Sequence, residues 1–329
     1  MTPPLLSICV MTYNRRRTLE ETLDSIFPQV AAREEVEVVI CDNASTDDTE
    51  AFVASRLTSA GRLRYHRNSE NLGVDGNIVT CFEQAHGNYV ALFSDDDLAP
   101  PNHFDFILRE IEQTGPTIWY CNHAPFFHGD SRHLAPPRSP LFDRIFRDGQ
   151  EFILQAGLGF LSSLMIARAP ALTHLKDVIH GTGAAHLDIA YRIALTTAGP
   201  FVYRGSQSVY ARSEQTNPPA LIGGCVNLAR LFRALVDEGL VGPAIMKRWL
   251  SGQVRYVLPR QVFTARGRNI GVYPLRGMVE LYGSIPAFYW WVLPLYLLPK
   301  FLVRALFLSG RWLLHCVRRA RYAGAAGSA

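Results

Sequence analysis

The sequence predicts an α/β protein: a mostly parallel sheet with helices on both faces, followed by a C-terminal helical, membrane-associating region. Short apolar runs alternate with stretches of helical spacing over residues 1–100. Three of those runs end in polar clusters, at Thr12-Tyr13-Asn14-Arg15, at Asp42 to Thr49 and at Asp95-Asp96-Asp97. A length of 329 residues holds one large α/β domain plus an appendage, and 48% hydrophobic against 19% charged residues describes a globular chain with an apolar excess.

Leu5 to Met11 reads as a buried strand. Thr18 to Phe27 has helical spacing at Leu19, Leu23 and Ile26, with Thr18 and Glu21 as a candidate capping box. Glu37 to Cys41 is a second strand, Thr49 to Leu57 a helix, and Leu63 to His66 a third strand. The loop Asn68 to Gly73 opens a helix over Asp75 to His86, and Tyr89 to Phe93 is a fourth strand. Strands alternating with helices at this spacing imply parallel pairing, and ligands of such sheets bind at the carboxyl ends of the strands. The three polar clusters should therefore meet along one edge of the sheet.

The most informative cluster is Asp95-Asp96-Asp97, closed off by Pro100-Pro101. Three carboxylates in a row repel one another and gain nothing from packing. A hard divalent cation such as Mg²⁺ or Mn²⁺ makes sense of them, because it takes carboxylate oxygens and shares them with substrate phosphates. The plainer alternative is a solvated acidic turn. No G-x-G-x-x-G follows the first strand and no P-loop is present, which excludes the dinucleotide and P-loop classes.

The segments Ser7 to Arg15 and Val39 to Thr49, and Asn71-Leu72-Gly73 leading to Asp95-Asp96-Asp97, resemble the GT-A family 2 glycosyltransferases in order and spacing. The resemblance implies a GT-A fold and a nucleotide-sugar-dependent transferase that uses Mg²⁺ or Mn²⁺. It implies that Thr12, Tyr13 and Arg15 line the base pocket, with Asn43 and Asn71 among the donor-binding residues, and that Asp42 accepts a hydrogen bond from the nucleobase. Asp96 would hold the ribose, and Asp97, with Asp95, would ligate the metal bridging the diphosphate. Many members place an Arg just before the Asn of the following helix; here Gly76 precedes Asn77, with Asp75 nearby.

Ile118 to Asn122 is a further strand, and His123 to Pro140 an irregular loop assigned to the acceptor side. Its histidines, His123, His128 and His133, lack metal-site spacing. Gln150 to Gln155 reads as a helix and Leu158 to Ile166 as a strand. Gly159 to Ser163 is similar to the abequosyltransferase-like branch of the family, which adds a dideoxyhexose to a lipid-linked oligosaccharide. His186 to Leu195 is an amphipathic helix. In the family an acid at the start of this helix serves as the base; Asp188 is the nearest match, and His186 reads as support. Asp188 also reads as a first-turn acid stabilised by the helix dipole. Phe201 to Arg212 is a final strand pair, from which Arg212 reaches toward the leaving diphosphate.

The six cysteines form no CxxC and no Cys/His spacing, so neither a zinc site nor a disulfide framework is expected, and a reduced, cytosolic setting fits. The N-terminus lacks the basic flank and apolar core of a signal peptide. The net charge of +4 belongs to residues 284–329, which carry Lys300, Arg304, Arg311, Arg318, Arg319 and Arg321 and no acid; the rest of the chain is net negative. That pattern fits an anionic membrane surface and not a nucleic acid. Residues 220–260 read as helical, with breaks near Gly239 and Gly242-Pro243. Leu281 to Val303 has one charge, Lys300, but Pro286, Pro294 and Pro299 interrupt it and aromatics cluster at Phe288 to Trp291. A kinked or re-entrant monotopic anchor with a basic amphipathic follower fits this composition better than a single span. A buried helical subdomain or an oligomer interface is the alternative.

The expected organisation is a catalytic domain over 1–215, a helical extension over 216–280 and a membrane-associating tail over 281–329. The expected function is inverting, metal-dependent transfer of a sugar from a nucleotide-sugar donor to a lipid-linked saccharide acceptor. It would take place at the cytoplasmic face of the inner membrane, in cell-surface polysaccharide synthesis of the O-antigen kind. Rival readings are a nucleotidyltransferase and a membrane-bound nucleotide-sugar-binding protein without transferase activity.

Overall fold

A computed structural model describes residues 3–57, 62–126, 142–212, 220–268 and 272–309. His128 and His133, and the tail residues Arg311, Arg318, Arg319 and Arg321, lie outside the described residues. The chain divides into two compact units, Met1–Gln215 and Thr216–Ala329.

The first unit is built on an eight-stranded sheet. Its strands are β1 (Leu6–Thr12), β2 (Val36–Asp42), β3 (Leu63–Arg67), β4 (Tyr89–Ser94), β5 (Ile118–Phe126), β6 (Asp143–Phe146), β7 (Leu164–Ala167) and β8 (Phe201–Arg212), in spatial order β3-β2-β1-β4-β7-β5-β8-β6. β1 to β4 pair in parallel. β7 runs antiparallel between β4 and β5, and β6 antiparallel on β8, so the sheet is mostly parallel but mixed. The helices are α1 (Arg16–Val30), α2 (Thr49–Leu57), α3 (Gly73–Gln84), α4 (His103–Thr114), α5 (Gly149–Ala156), α6 (Arg168–His174) and α7 (Ala185–Thr196). Leu6, Ile8, Val10, Val38, Ile40 and Phe93 of the strands bury against Leu19, Leu23 and Ile26 of α1 and Phe104, Ile107 and Ile111 of α4. Cys9, Val39 and Leu92, which point to the opposite face of the same strands, are buried as well, the two-sided burial that near-continuous apolar runs require.

Four local expectations change. The capping box at Thr18 and Glu21 does not form, because α1 has already begun at Arg16; the Thr18 hydroxyl donates to the Arg15 carbonyl and Glu21 pairs with Arg212. The run Leu158 to Ile166 joins the sheet only from Leu164, since Ser162 Oγ accepts the Ser94 N–H at 2.9 Å and donates to Asp97 Oδ2 at 2.6 Å. Those two bonds turn the segment off the sheet in a short 3₁₀ turn. The final strand pair is one twelve-residue strand, β8, with a bulge facing Cys121 and Asn122. β6 gives no strand signal in the sequence, because three of its four residues are exposed.

The second unit is helical: α8 (Ala220–Asp237), α9 (Pro243–Gly252), a π turn (Gln253–Val257), α10 (Leu258–Gly267), α11 (Leu275–Tyr282), α12 (Pro286–Trp291), α13 (Leu293–Leu297) and a last helix over Lys300–Ser309. Pro286 and Pro294 start new helices, where the missing N–H costs nothing. Among the described residues no single helix is long and apolar enough to cross a membrane, and Pro286–Leu297 meets Lys300–Ser309 at a 98° bend. The run has a buried side. Met278, Tyr282, Phe288 and Val292 are fully enclosed, the Tyr282 hydroxyl donates to the Cys225 carbonyl at 2.8 Å, and the Arg266 guanidinium donates to the carbonyls of Leu295, Tyr296 and Leu298. Residues before and after position 280 thus share one core.

Candidate active site

The parallel register brings the polar clusters into line as their strands end. Thr12 of β1 stands beside Asp42 of β2, and Met11 of β1 beside Ser94 of β4. The loops beyond are laced together: Asn14 Oδ1 accepts the N–H of Thr46 at 2.6 Å, and the Asn14 N–H donates to Ser45 Oγ at 2.9 Å. At this edge lies a cavity of about 250 Å³ whose lining includes Thr12, Tyr13, Arg15, Asn43, Asn77 and Asp95. Of the predicted donor-site residues it gathers Thr12, Tyr13, Arg15, Asn43 and Asp95. Two polar atoms on its wall, Thr12 Oγ1 and Asp95 Oδ2, are buried without a well-formed hydrogen bond among the described residues, the Thr12 hydroxyl lying close enough to the Asp95 carboxylate to stabilise its charge. Such groups cost free energy until something pairs with them.

The acidic run divides in two. Arg15 Nη1 bridges Asp95 Oδ1 and Asp96 Oδ2, 3.1 Å from each. Burial pushes the Asp95 carboxyl up to about 6, against the pull of Arg15. Asp97 points the other way: Oδ2 accepts from Ser162 Oγ and Oδ1 from the Arg212 N–H at 3.2 Å, while burial, with Asp96 close by, pushes its carboxyl up to about 8. Each Asp97 oxygen thus accepts one hydrogen bond from the fold and keeps a second lone pair; Asp96 is engaged at both oxygens as well, by Arg15 Nη1 and by the Ser94 hydroxyl. Among the described residues no three acids or histidines come together as a complete metal cage. The hard oxygen donors that could take a divalent cation shared with substrate phosphates are Asp95 and Asp97.

Asp42 differs from expectation too. It is fully buried, with Oδ1 taken by the Ser45 N–H and hydroxyl and Oδ2 by the Tyr65 hydroxyl at 2.6 Å. No oxygen is left for a nucleobase, so Asp42 is a brace beneath the pocket, and Asn43 takes its place on the wall. Asn43 is itself a hub, donating to Asn71 Oδ1 and the Gly73 carbonyl and accepting from Asn68 and the Leu72 N–H. Asn71 orders the turn into α3 by accepting the Gly73 N–H, and Gly73 sits at φ +71°, where a side chain would be strained. Arg212 does not face a diphosphate: its guanidinium is buried against Glu21, the Asp96 carbonyl and the Phe126 ring.

Asp188 is the largest correction. Its side chain is 0% exposed and paired with Arg192, Nε to Oδ1 at 2.7 Å, while Oδ2 accepts the Ile179 N–H at 2.8 Å. A carboxylate so enclosed serves the fold and is not free to take a proton from an acceptor. Three residues that matter here carry no strong local signal. Asp75, flagged only as a departure, accepts N–H groups from Thr182, Gly183 and Ala185 at 2.8–2.9 Å and caps α7 from α3. Ser162 holds Asp97. His186, read as support, is buried with no well-formed hydrogen bond at either ring nitrogen among the described residues, the Gly159 backbone lying close to the ring.

Residues 7–168 match the model of the glycosyl transferase family 2. The chain is 43% identical over 119 residues to the abequosyltransferase RfbV of Salmonella typhimurium, across 36% of this chain and 35% of that protein. It is 34% identical over 95 residues to a GalNAc(5)-diNAcBac-PP-undecaprenol β-1,3-glucosyltransferase of Campylobacter jejuni, across 29% and 30%. The chain spans about a third of the length of the curated relatives it matches. Among solved structures, a mannosyltransferase of Pyrobaculum calidifontis in complex with GDP-Man and Mn²⁺ superposes with a TM-score of 0.57 at 17% identity, over 93% of this chain and 87% of the other. The mixed sheet, the cavity at its carboxyl edge and these likenesses agree: this chain carries a glycosyl transferase family 2 domain over residues 7–168, on a GT-A fold.

Proposed function

We propose that the protein is a glycosyltransferase that moves a sugar from a nucleotide-sugar donor to a lipid-linked saccharide acceptor, with inversion at the anomeric carbon. The observation that carries the donor site is the convergence of Thr12, Tyr13, Arg15, Asn43 and Asp95 on one cavity at the carboxyl edge of the sheet. Tyr13, 42% exposed at the rim, offers a ring face to a nucleobase. Arg15 offers positive charge beside the acidic pair, and Asn43 and Asn77 offer amide edges. Asp95 and Asp97 would hold Mg²⁺ or Mn²⁺; that ion, when bound, supplies positive charge opposite the leaving diphosphate. The mannosyltransferase complex with GDP-Man and Mn²⁺ supports both the donor class and the metal, and the undecaprenol-linked glucosyltransferase supports the acceptor class.

The second unit supports work at a membrane surface, which we place at the cytoplasmic face of the inner membrane. Tyr256, Trp290 and Trp291 are exposed and, with Arg255, edge an open cavity of about 710 Å³; Leu297, Phe301 and Leu306 continue the exposed apolar face. Exposed aromatics beside basic residues are the composition of an interfacial element. One observation favours the rival binding protein without transfer: Asp188 is sequestered.

A thermal-shift series with UDP-, GDP-, CDP- and dTDP-sugars and Mn²⁺ tests the donor site. A ligand at about 100 times its Kd stabilises by about 2.7 kcal/mol. One sugar nucleotide should raise the melting temperature, and Asp95→Asn should lose that rise. Stabilisation by none of them would overturn the reading. Release of nucleoside diphosphate on adding lipid-linked acceptor then separates transfer from binding alone.

A further inference from the structure

With Asp188 enclosed, a transfer reaction needs another group to accept the proton of the incoming hydroxyl. We infer that His186 is that group, an inference that rests on the glycosyl-transfer reading above. His186 is the second residue of α7, only 6% exposed, and neither ring nitrogen makes a well-formed hydrogen bond among the described residues, although the Gly159 backbone lies close enough to act on the ring. A buried imidazole so poorly paired gains a partner when a hydroxyl-bearing ligand arrives.

Two segments tie the ring to the donor cavity. On one side, Asp75 fixes the turn that leads into His186 by accepting the N–H groups of Thr182, Gly183 and Ala185. Asp75 lies on α3 between Val74 and Asn77, both of which line the cavity. On the other side, the Gly159 backbone lies against the ring, and three residues later Ser162 reaches Asp97 and the Ser94 N–H. Burial keeps the imidazole neutral, with its pKa pushed down to about 4, so one nitrogen carries a free lone pair at neutral pH. The Asp75 carboxylate is the charged group facing it, and its field favours the imidazolium as a proton arrives.

The step balances as follows. The acceptor hydroxyl oxygen forms a bond to the anomeric carbon while its proton passes to the free nitrogen of His186. The bond from the anomeric carbon to the diphosphate oxygen breaks, and its electron pair leaves with the nucleoside diphosphate. The imidazolium then returns its proton to solvent. His186 is thus a catalytic residue and Asp75 a positioning one.

The test uses the full chain with its sugar nucleotide, Mn²⁺ and a lipid-linked saccharide acceptor. His186→Asn and His186→Gln should lower the transfer rate by on the order of 10²–10⁴-fold, with donor affinity within about twofold of wild type. His186→Asp, which restores a proton acceptor, should recover part of the loss. Amide variants that fold, bind donor and transfer within about fivefold of wild type would overturn the inference. Should neither amide variant fold, histidine-labelled wild type decides by NMR, using an unreactive donor analogue. The His186 ring nitrogens should shift when acceptor is added, and unmoved resonances would overturn it. If wild type binds no sugar nucleotide, the glycosyl-transfer reading itself has failed; donor binding with unimpaired variants isolates the failure to His186.

Discussion

Asp188 Oδ1 and Arg192 Nε lie 2.7 Å apart, one helical turn along α7, and both side chains are buried. A pair of this kind is costly to split, because removing one partner strands an uncompensated charge. Arg192→Leu should therefore destabilise the protein by about 3–5 kcal/mol in urea titrations. The double variant with Asp188→Leu should recover much of that loss. A neutral Arg192→Leu would show that the carboxylate has another outlet.

Asp75 makes a comparable contribution from a distance. Its two oxygens serve three backbone N–H groups at the start of α7, and Asp75→Ala leaves all three without an acceptor. We expect a loss of about 2 kcal/mol, the upper range for a helix cap, and faster amide exchange at Thr182, Gly183 and Ala185. Unchanged exchange there would contradict the capping role.

The acidic run should separate by position. Asp95→Asn and Asp97→Asn should weaken Mn²⁺ binding, read by electron paramagnetic resonance of the free ion, and Asp96→Asn should weaken it less. Asp97→Ala should also lower the melting temperature by freeing Ser162 and the Arg212 N–H. Unchanged Mn²⁺ binding in a folded Asp97→Ala would remove Asp97 from the metal.

His103 carries a pH prediction. Its ring is buried among Phe93, Phe104 and Trp119, and burial pushes its pKa down to about 4 from 6.5. Below pH 6.5 the unfolded chain takes up this proton before the folded one does. Stability is therefore held above pH 6.5 and lost as pH falls toward 4, by up to about 3 kcal/mol. His103→Phe should flatten that part of the stability profile, and an unchanged profile would show that His103 does not contribute to it.

The C-terminal run should behave as a two-faced element. Truncation after Tyr273 removes Met278, Tyr282, Phe288 and Val292 from the core of the second unit, so α8 and α10 should lose protection from exchange. Trp290→Ser with Trp291→Ser alters only exposed residues and should weaken binding to anionic vesicles while leaving the melting temperature nearly unchanged. Equal vesicle binding by that variant would remove the membrane role from this face.

Most of the sheet was legible because its signal is local. Apolar runs such as Val36 to Cys41 can only be buried strands when helical stretches flank them, and a parallel sheet then puts Thr12, Asn43 and Asp95 at one edge. The resemblance added the donor class. What misled were residues whose type is right for chemistry but whose partners lie far along the chain. Asp42 is claimed by Tyr65 and Arg212 by Glu21 near the other end of the domain.

The sequence by itself determined the fold class, the sheet edge at which the polar clusters gather and the run of carboxylates there, because these follow from periodicity and strand direction. Only the tertiary structure decided which carboxylates are free. Direction and burial of a side chain depend on contacts across 65 to 115 residues, as between Asp97 and Ser162 or Arg212. Asp188 differs, since its partner Arg192 is one helical turn away and the i,i+4 spacing of acid and base is visible in the sequence. What the spacing does not show is that both side chains are buried, or that His186 in the same first turn is enclosed without a well-formed hydrogen bond; those depend on what folds against the helix.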